Sequence, residues 1–270
     1  FVLVFKMGIA GVAIASILAQ AISAVMVVMS LSAESMEYRF RFRQMRFEGD
    51  ILSRTIRIGL PAGFQSIMYS LSNMLIQASV NRFGTDTVAS WVVLGKVDGI
   101  NWMILGALGI ASMTFVGQNY GAGRLDRIQK SLKLSLLIGL CISIVFGGAL
   151  LLFGWPLFGL FTSDDTVLAM SMQLLWYFAP FYWLFVPIEV ISGALRGMGD
   201  TLIPTIITAT GICVFRVAWI YTVVPLHNSM FTVSLSYPIS WVLTAIAFAI
   251  YYMIARKKLI ANAPKPRTAE

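Results

Sequence analysis

Apolar residues run along this chain in long unbroken blocks, separated by short polar or glycine-bearing breaks. A helix needs about 20 such residues to cross a hydrocarbon core. Seven blocks meet that length: 7–32, 55–80, 87–116, 132–153, 167–195, 202–224 and 231–255. A membrane barrel would instead alternate apolar and polar positions with period two. The pattern therefore predicts an all-α fold, a polytopic membrane bundle of seven transmembrane helices. The breaks carry turn chemistry. Asn81-Arg82-Phe83-Gly84 reads as a tight turn, and Gly117 to Gly123 reads as a connection holding three glycines. Gly154-Trp155-Pro156 reads as a helix break, Ser163-Asp164 as a cap for the next helix, and Gly197-Met198-Gly199-Asp200 as a short turn. Pro225 is expected to end another helix. Trp155, Trp176, Tyr177 and Tyr237 fall near the proposed ends, where interfacial aromatics belong.

Composition narrows the class. Hydrophobic residues make up 58% of the 270 positions and charged residues 12%, with mean hydropathy +0.81. Average globular usage is about 45–50% apolar and about 25% charged, so a disordered chain, a coiled coil and an ordinary soluble enzyme are excluded. Cys141 and Cys213 both fall inside apolar blocks and read as small core residues, with neither disulfide nor metal spacing. His227 is the single histidine, which argues against a histidine-based metal or catalytic site. The chain starts at Phe1 and enters an apolar segment without a signal-peptide pattern, so it reads as the C-terminal piece of a longer protein.

The basic residues suggest an orientation. Arg39, Arg41, Arg43, Arg46, Arg54 and Arg57 follow the first block, and Arg124, Arg127, Lys130 and Lys133 follow the third. Arg196 follows the fifth, and Arg256, Lys257, Lys258, Lys265 and Arg267 form the tail. These are 16 of the 20 basic residues, all on alternate connections, whereas the opposite connections hold Arg82 and Lys6. The positive-inside rule then sets the tail in the cytoplasm of a multi-pass plasma (inner) membrane protein. Residues 34–50, with aromatic and basic residues alternating from Tyr38 to Arg43, read as an interfacial segment or a connector between halves of a bundle. Beside a membrane span such a run faces lipid headgroups, and no nucleic-acid partner is expected.

Four charges fall inside the apolar blocks: Lys96, Asp98, Glu189 and Arg216. A charge at bilayer depth costs about 2.5–3.5 kcal/mol, so each requires a function or a partner. Glu189 reads either as a carboxylate that titrates or binds a cation during transport, or as half of a static ion pair with Arg216 or Lys96. Asp98 reads likewise as functional, or as an acceptor for nearby Asn101 or Trp102. Gln65, Tyr69, Asn73, Gln77 and Asn81 repeat at strict i, i+4 spacing. Such a row winds slowly along one helix face. It forms either a cavity wall able to hydrogen-bond varied ligands or interhelical glue. The expected substrate cavity comprises Gln65, Tyr69, Asn73, Gln77 and Asn101. Pro180 and Pro187 lie inside the fifth block just before Glu189, and Pro61 and Pro204 lie in or near the starts of others. Broken helices beside polar groups are common in transporters. Catalytic motifs are absent: GQNYGAG lacks the Gly-Lys-Ser/Thr ending of a phosphate loop and follows a membrane block rather than a strand.

Three segments resemble the multidrug and toxic compound extrusion (MATE) family: Gly59-Leu-Pro61, the block from Phe115 to Gly123, and Gly193-Ala-Leu-Arg-Gly-Met-Gly-Asp-Thr201 with Pro204 after it. The resemblance implies a twelve-helix antiporter built from two six-helix halves. Residues 1–32 would be the last helix of the N-terminal lobe, 33–54 the basic linker, 55–256 the C-terminal lobe and 257–270 the tail. Gly117, Gln118, Gly121, Arg196, Gly197 and Gly199 would form the family's cytoplasmic loops. The implied activity is efflux of organic, often cationic amphipathic compounds by alternating access, driven by Na⁺ or H⁺, with no cofactor, no resident metal and no enzymatic chemistry. The implied partners are such drugs, the bilayer and a missing N-terminal half. One departure stands out: Tyr69 occupies a position where the sodium-coupled branch carries a carboxylate, and Glu189 lies about a turn from the usual acid. Alternative readings are a lipid-linked saccharide flippase of the same superfamily, a seven-helix receptor or sensor, and a membrane enzyme. A flippase should line its cavity with several basic residues, and Lys96 and Arg216 are the candidates.

Overall fold

A computed structural model describes residues 1, 4–32 and 46–261. Arg39, Arg41 and Arg43, most of the aromatic–basic stretch, and Lys265 and Arg267 lie outside the described residues. Among the described residues there is no strand. Contacts divide the chain into two units, Phe1–Thr55 and Ile56–Glu270. The first contains α1 (Gly8–Ser32), a continuous apolar helix.

The second unit is the helical bundle. It holds most of α2 (Gly49–Val80), then α3 (Thr85–Gly121), α4 (Leu125–Phe158), α5 (Asp165–Phe178) and α6 (Val186–Gly197). After these come α7 (Leu202–Thr208), α8 (Phe215–Thr222) and α9 (Met230–Ala261). Residues 179–185 join α5 to α6 as a 3₁₀ segment, and residues 209–214 join α7 to α8 as a π segment. The nine helices of the described chain thus form seven rods. Six of these are long and apolar enough to cross a membrane. The exception, α2, has the length but also carries the polar row, which lowers its hydropathy.

Local chemistry explains most boundaries. Asp164 caps α5, its Oδ1 accepting from the Thr166 and Val167 amides at 2.8 and 3.2 Å. A 3₁₀ turn over 81–83 and Gly84 at φ 96° turn the chain from α2 into α3. Pro180 and Pro187 lack the amides a continuous helix would use, and the rod tightens to 3₁₀ at residues 179–185. Two expected breaks lie elsewhere. The helix does not stop at Gly154-Trp155-Pro156 but ends at Phe158, two residues beyond Pro156. Gly117 and Gly121 belong to α3, and Arg196 and Gly197 to α6. Of the six residues expected in loops, Gly199 alone lies in a turn, at φ 91°.

The bundle reverses the usual distribution of polarity. Its outer surface carries large apolar side chains, such as Leu134, Leu137, Ile144, Val145 and Leu152 on α4. Its interior holds many Ser and Thr side chains, including Ser90, Ser112, Ser171, Thr205 and Thr244. Several hydroxyls cross between helices: Ser112 donates to the Val190 carbonyl at 3.1 Å, and Ser90 to that of Val167 at 3.2 Å. Others bond back to a carbonyl four residues earlier, as Thr208 does to Pro204 at 2.9 Å. Lipid supplies no hydrogen bonds, so this internal satisfaction is what a membrane solvent requires. Cys213 is buried, but Cys141 is exposed on α4 and is not a core residue.

α3 and α6 approach most intimately. A Cβ added at Gly193 would meet the Gly109 carbonyl, and one at Gly197 would meet the Met113 carbonyl and, at 3.0 Å, the Gly117 amide. A Cβ at Gly117 would in turn lie 3.3 Å from the Gly197 carbonyl. These glycines form a seam in which two backbones touch, and hydrogen at Cα is what lets them do so. Here helix glycines serve close approach, which is why reading them as turn residues failed.

Candidate functional site

Beyond this seam the helices diverge around a cavity of about 470 Å³. That falls in the range of roughly 300–1,000 Å³ typical of small-molecule sites. Each wall is a helical stripe. α3 contributes Trp91, Gly95, Asp98 and Trp102, at spacings of four, three and four residues. α2 contributes Tyr69, Asn73, Ile76 and Gln77. The α5–α6 rod contributes Phe178, Phe185 and Glu189, which the 3₁₀ segment keeps on one side. Arg216 of α8, with Tyr237 and Trp241 of α9, completes the lining.

The aromatic rings interlock edge to face. Trp102 lies 4.9 Å from Phe185 and 5.7 Å from Trp241, centroid to centroid. Trp91 lies 5.8 Å from Phe178 and 5.9 Å from Tyr237. Such T-shaped pairs stabilise by about 0.5–1.5 kcal/mol beyond their burial. The result is a rigid apolar box with polar groups at fixed points.

Asp98 is buried, and its carboxylate accepts from the Tyr182 hydroxyl. The expected donors, Asn101 and Trp102, do not serve. Asn101 is buried outside the cavity lining with its Nδ2 unpartnered. Glu189 sits where cavity meets seam, half-buried, with Oε2 against Gly109: a Cβ there would lie 2.6 Å from that oxygen. Among the described residues the Glu189 carboxylate has no hydrogen-bond partner, and it pairs with neither Arg216 nor Lys96. Arg216 is 5% exposed and stacks on Tyr237, its Cζ 3.8 Å from the ring centroid. Its Nε–H donates to Ser240 Oγ at 3.0 Å. Lys96 is exposed on α3 and does not line the cavity, because it lies two residues from Asp98 and projects from another face.

The polar row of α2 divides. Tyr69, Asn73 and Gln77 line the cavity. Gln77 also donates to Asn81 at 2.9 Å, at the start of the 3₁₀ turn. Gln65 lies farther along and accepts from the Arg196 guanidinium.

The aromatic walls were missed from sequence. Tyr237, expected at a membrane interface, is instead half-buried in the wall of the box, whereas Trp155 and Trp176 are exposed. A signal existed: Trp91, Gly95, Asp98 and Trp102 recur on one helical face with a carboxylate among them. Among the described residues no cluster of His, Cys, Asp or Glu could hold a metal ion.

Known proteins of similar sequence and fold share this architecture. A multidrug resistance protein described as probable, YoeA of Bacillus subtilis, is 25% identical over 266 residues, covering 94% of this chain and 56% of the relative. A probable NorM of Thermotoga maritima is 24% identical, covering 78% of this chain and 45% of the relative. The chain thus spans about half the length of the curated relatives it matches. A solved transporter of the MOP superfamily from Pyrococcus furiosus superposes with TM-score 0.86 at 17% identity, covering 96% of this chain and 59% of that one. A Vibrio cholerae MATE transporter superposes with TM-score 0.84 at 18% identity, covering 97% and 60%. The MatE family model matches residues 61–222, which includes α3 to α8 and the glycine seam. The chain belongs to the MatE family.

Proposed function

We propose that this chain is the ligand-binding C-terminal portion of a multidrug efflux transporter, a secondary antiporter coupled to Na⁺ or H⁺. In this reading residues 1–32 end the N-terminal lobe, 33–54 link the lobes, 55–256 form the C-terminal lobe and 257–270 a cytoplasmic tail in the plasma (inner) membrane. The observation that carries the reading is the cavity itself, a box of aromatic rings holding two carboxylates. Aromatic faces bind flat amphipathic compounds without demanding one shape, and they attract organic cations. Glu189, with no partner among the described residues, is free to hold the coupling ion or the cationic group of a drug. Exclusion of one by the other at this carboxylate couples the two fluxes, and alternating access carries each across. Asp98, held by Tyr182, sets a second fixed negative point. No cofactor takes part.

A flippase for lipid-linked saccharides is less well supported. It needs a predominantly basic cavity, and here one arginine faces two carboxylates while Lys96 lies outside the lining.

The test uses vesicles carrying the full-length protein, loaded with a fluorescent organic cation. Flux should follow an imposed Na⁺ or H⁺ gradient, and Glu189→Gln should lower it by about tenfold or more. Absence of flux under both gradients would refute the antiport reading. Unchanged coupled flux in Glu189→Gln would remove Glu189 from the mechanism.

A further inference from the structure

A desolvated cation needs a counter-charge or a full set of acceptors. Arg216 has neither among the described residues. It is 5% exposed. Its Nε–H is spent on Ser240, whose hydroxyl donates onward to the Tyr237 carbonyl at 2.7 Å. That leaves the donors on its two terminal nitrogens with no acceptor. The carboxylates of Asp98 and Glu189 do not pair with it. Beside it, the Trp241 indole N–H is buried and has no partner, and the Trp241 ring centroid lies 6.0 Å from Arg216 Cζ. The terminal donors of the guanidinium therefore stand unspent in the cavity lining, stiffened by the stacked Tyr237 ring.

We infer that Arg216 forms a carboxylate-binding subsite. A planar guanidinium matches a carboxylate through two parallel hydrogen bonds, which a lysine at this position could not reproduce. With Glu189 and Asp98 on other walls, the cavity then selects amphipathic zwitterions over simple cations. The aromatic body rests against the tryptophans, the cationic group faces the carboxylates and the anionic group docks on Arg216. This assignment rests on the reading of the cavity as the binding site for transported compounds.

Rhodamine 110 and its methyl ester, rhodamine 123, supply the test, because they share one aromatic cation and differ in a free carboxylate. Binding of each is measured by fluorescence anisotropy on the full-length protein in lipid nanodiscs. The wild type should prefer rhodamine 110 by about tenfold or more, the scale of a charge-assisted bidentate contact. Arg216→Gln should abolish that preference, so that the two dyes bind with affinities within about twofold of each other. Arg216→Lys should restore part of the preference. Equal affinities for the two dyes in the wild type overturn the subsite, and so does a preference that survives Arg216→Gln. Should Arg216→Gln fail to fold, benzoate competition on the wild type decides. Benzoate that lowers rhodamine 110 affinity to that of the ester supports the subsite, and benzoate without effect overturns it. Absence of vesicle flux for both dyes, with the binding preference intact, would sink the transport reading and leave the subsite standing.

Discussion

α3 meets the rod formed by α5 and α6 in two contrasting ways along its length. Around Gly109, Met113 and Gly117 it touches α6 backbone to backbone, with Gly193 and Gly197 opposite. Around Trp91, Asp98 and Trp102 it meets the rod through side chains instead: Ser90 bonds the Val167 carbonyl, Tyr182 bonds Asp98, and Trp91 and Trp102 meet Phe178 and Phe185 edge to face. The difference lies in side-chain volume at facing positions. Glycines let the helices close backbone to backbone, whereas the large rings meet side chain to side chain and line the cavity. Glu189 sits at the changeover, its carboxylate lying in the space that Gly109 leaves empty. Packing in the seam thus positions the unpartnered carboxylate of the cavity.

The strongest way to break this contrast is to give the seam a side chain. Gly197→Val adds a branched group where backbone atoms of Met113 and Gly117 already stand. Neither neighbour can rotate away, since both are main chain. The expected cost is about 3 kcal/mol or more, seen as a lower thermal midpoint in detergent or loss of folded protein. Gly95→Ala is the matching change in the cavity. A Cβ there meets nothing within 4 Å, so stability should not fall, and the better helix propensity of alanine should raise it by up to about 1 kcal/mol. Equal costs at the two glycines would contradict the division into seam and cavity.

Much of this architecture is legible in the sequence, because membrane helices announce themselves by apolar length. Seven blocks became seven rods, and the prolines at 180 and 187 marked the 3₁₀ interruption. Three of the four charges inside the blocks line one cavity, as do three of the five residues of the α2 row. Other features were hidden for identifiable reasons. Glycine is ambiguous: Gly117 and Gly197 read as turns but lie in helices, because absence of a Cβ serves a turn or a close approach equally well. Aromatics are also ambiguous, marking membrane interfaces or filling cavities, and Tyr237 belongs to the second class. Lys96 lies two residues from Asp98 in sequence, yet a helix rotates about 100° per residue and sends it to another face. The Tyr182–Asp98 bond joins residues 84 positions apart, which helical periodicity cannot reveal.

A smaller effect is expected at that bond. Tyr182 is fully buried, and its hydroxyl is the hydrogen-bond donor to Asp98 among the described residues. Tyr182→Phe keeps the ring and its contacts with Trp102 and Trp241, at 6.2 and 6.4 Å, but leaves the carboxylate without that donor. The loss should be about 2 kcal/mol, the cost of a buried charged acceptor left unmet. Adding Asp98→Asn to Tyr182→Phe should cost less than the two single changes together, because they remove the same interaction. A double-mutant cycle on thermal stability tests this, and strict additivity would show that the bond does not couple the residues. The outcome sharpens the contrast: the seam depends on backbone fit, whereas the cavity depends on individual polar contacts.

The mildest expected effect concerns α2, which borders the cavity and reaches toward the seam end. At one end Ile76 and Val80 pack with Ile220, Val224 and Val233. Near the other, Gln65 accepts from Arg196, directly before Gly197 of the seam. Between these attachments Tyr69 and Asn73 face the cavity. Gln65→Ala removes one attachment and leaves the apolar one, so global stability should fall by about 1 kcal/mol. The local consequence should be larger than this figure suggests. Amide hydrogen exchange should quicken in α2 around residue 65, while the exchange of residues near Ile76 and of the seam glycines changes little. That pattern would make α2 a wall held at two points, with the part around residue 65 free to open independently of the α3–α6 contact. Uniform acceleration across α2, α3 and α6 would instead show that the wall and the seam open as one unit.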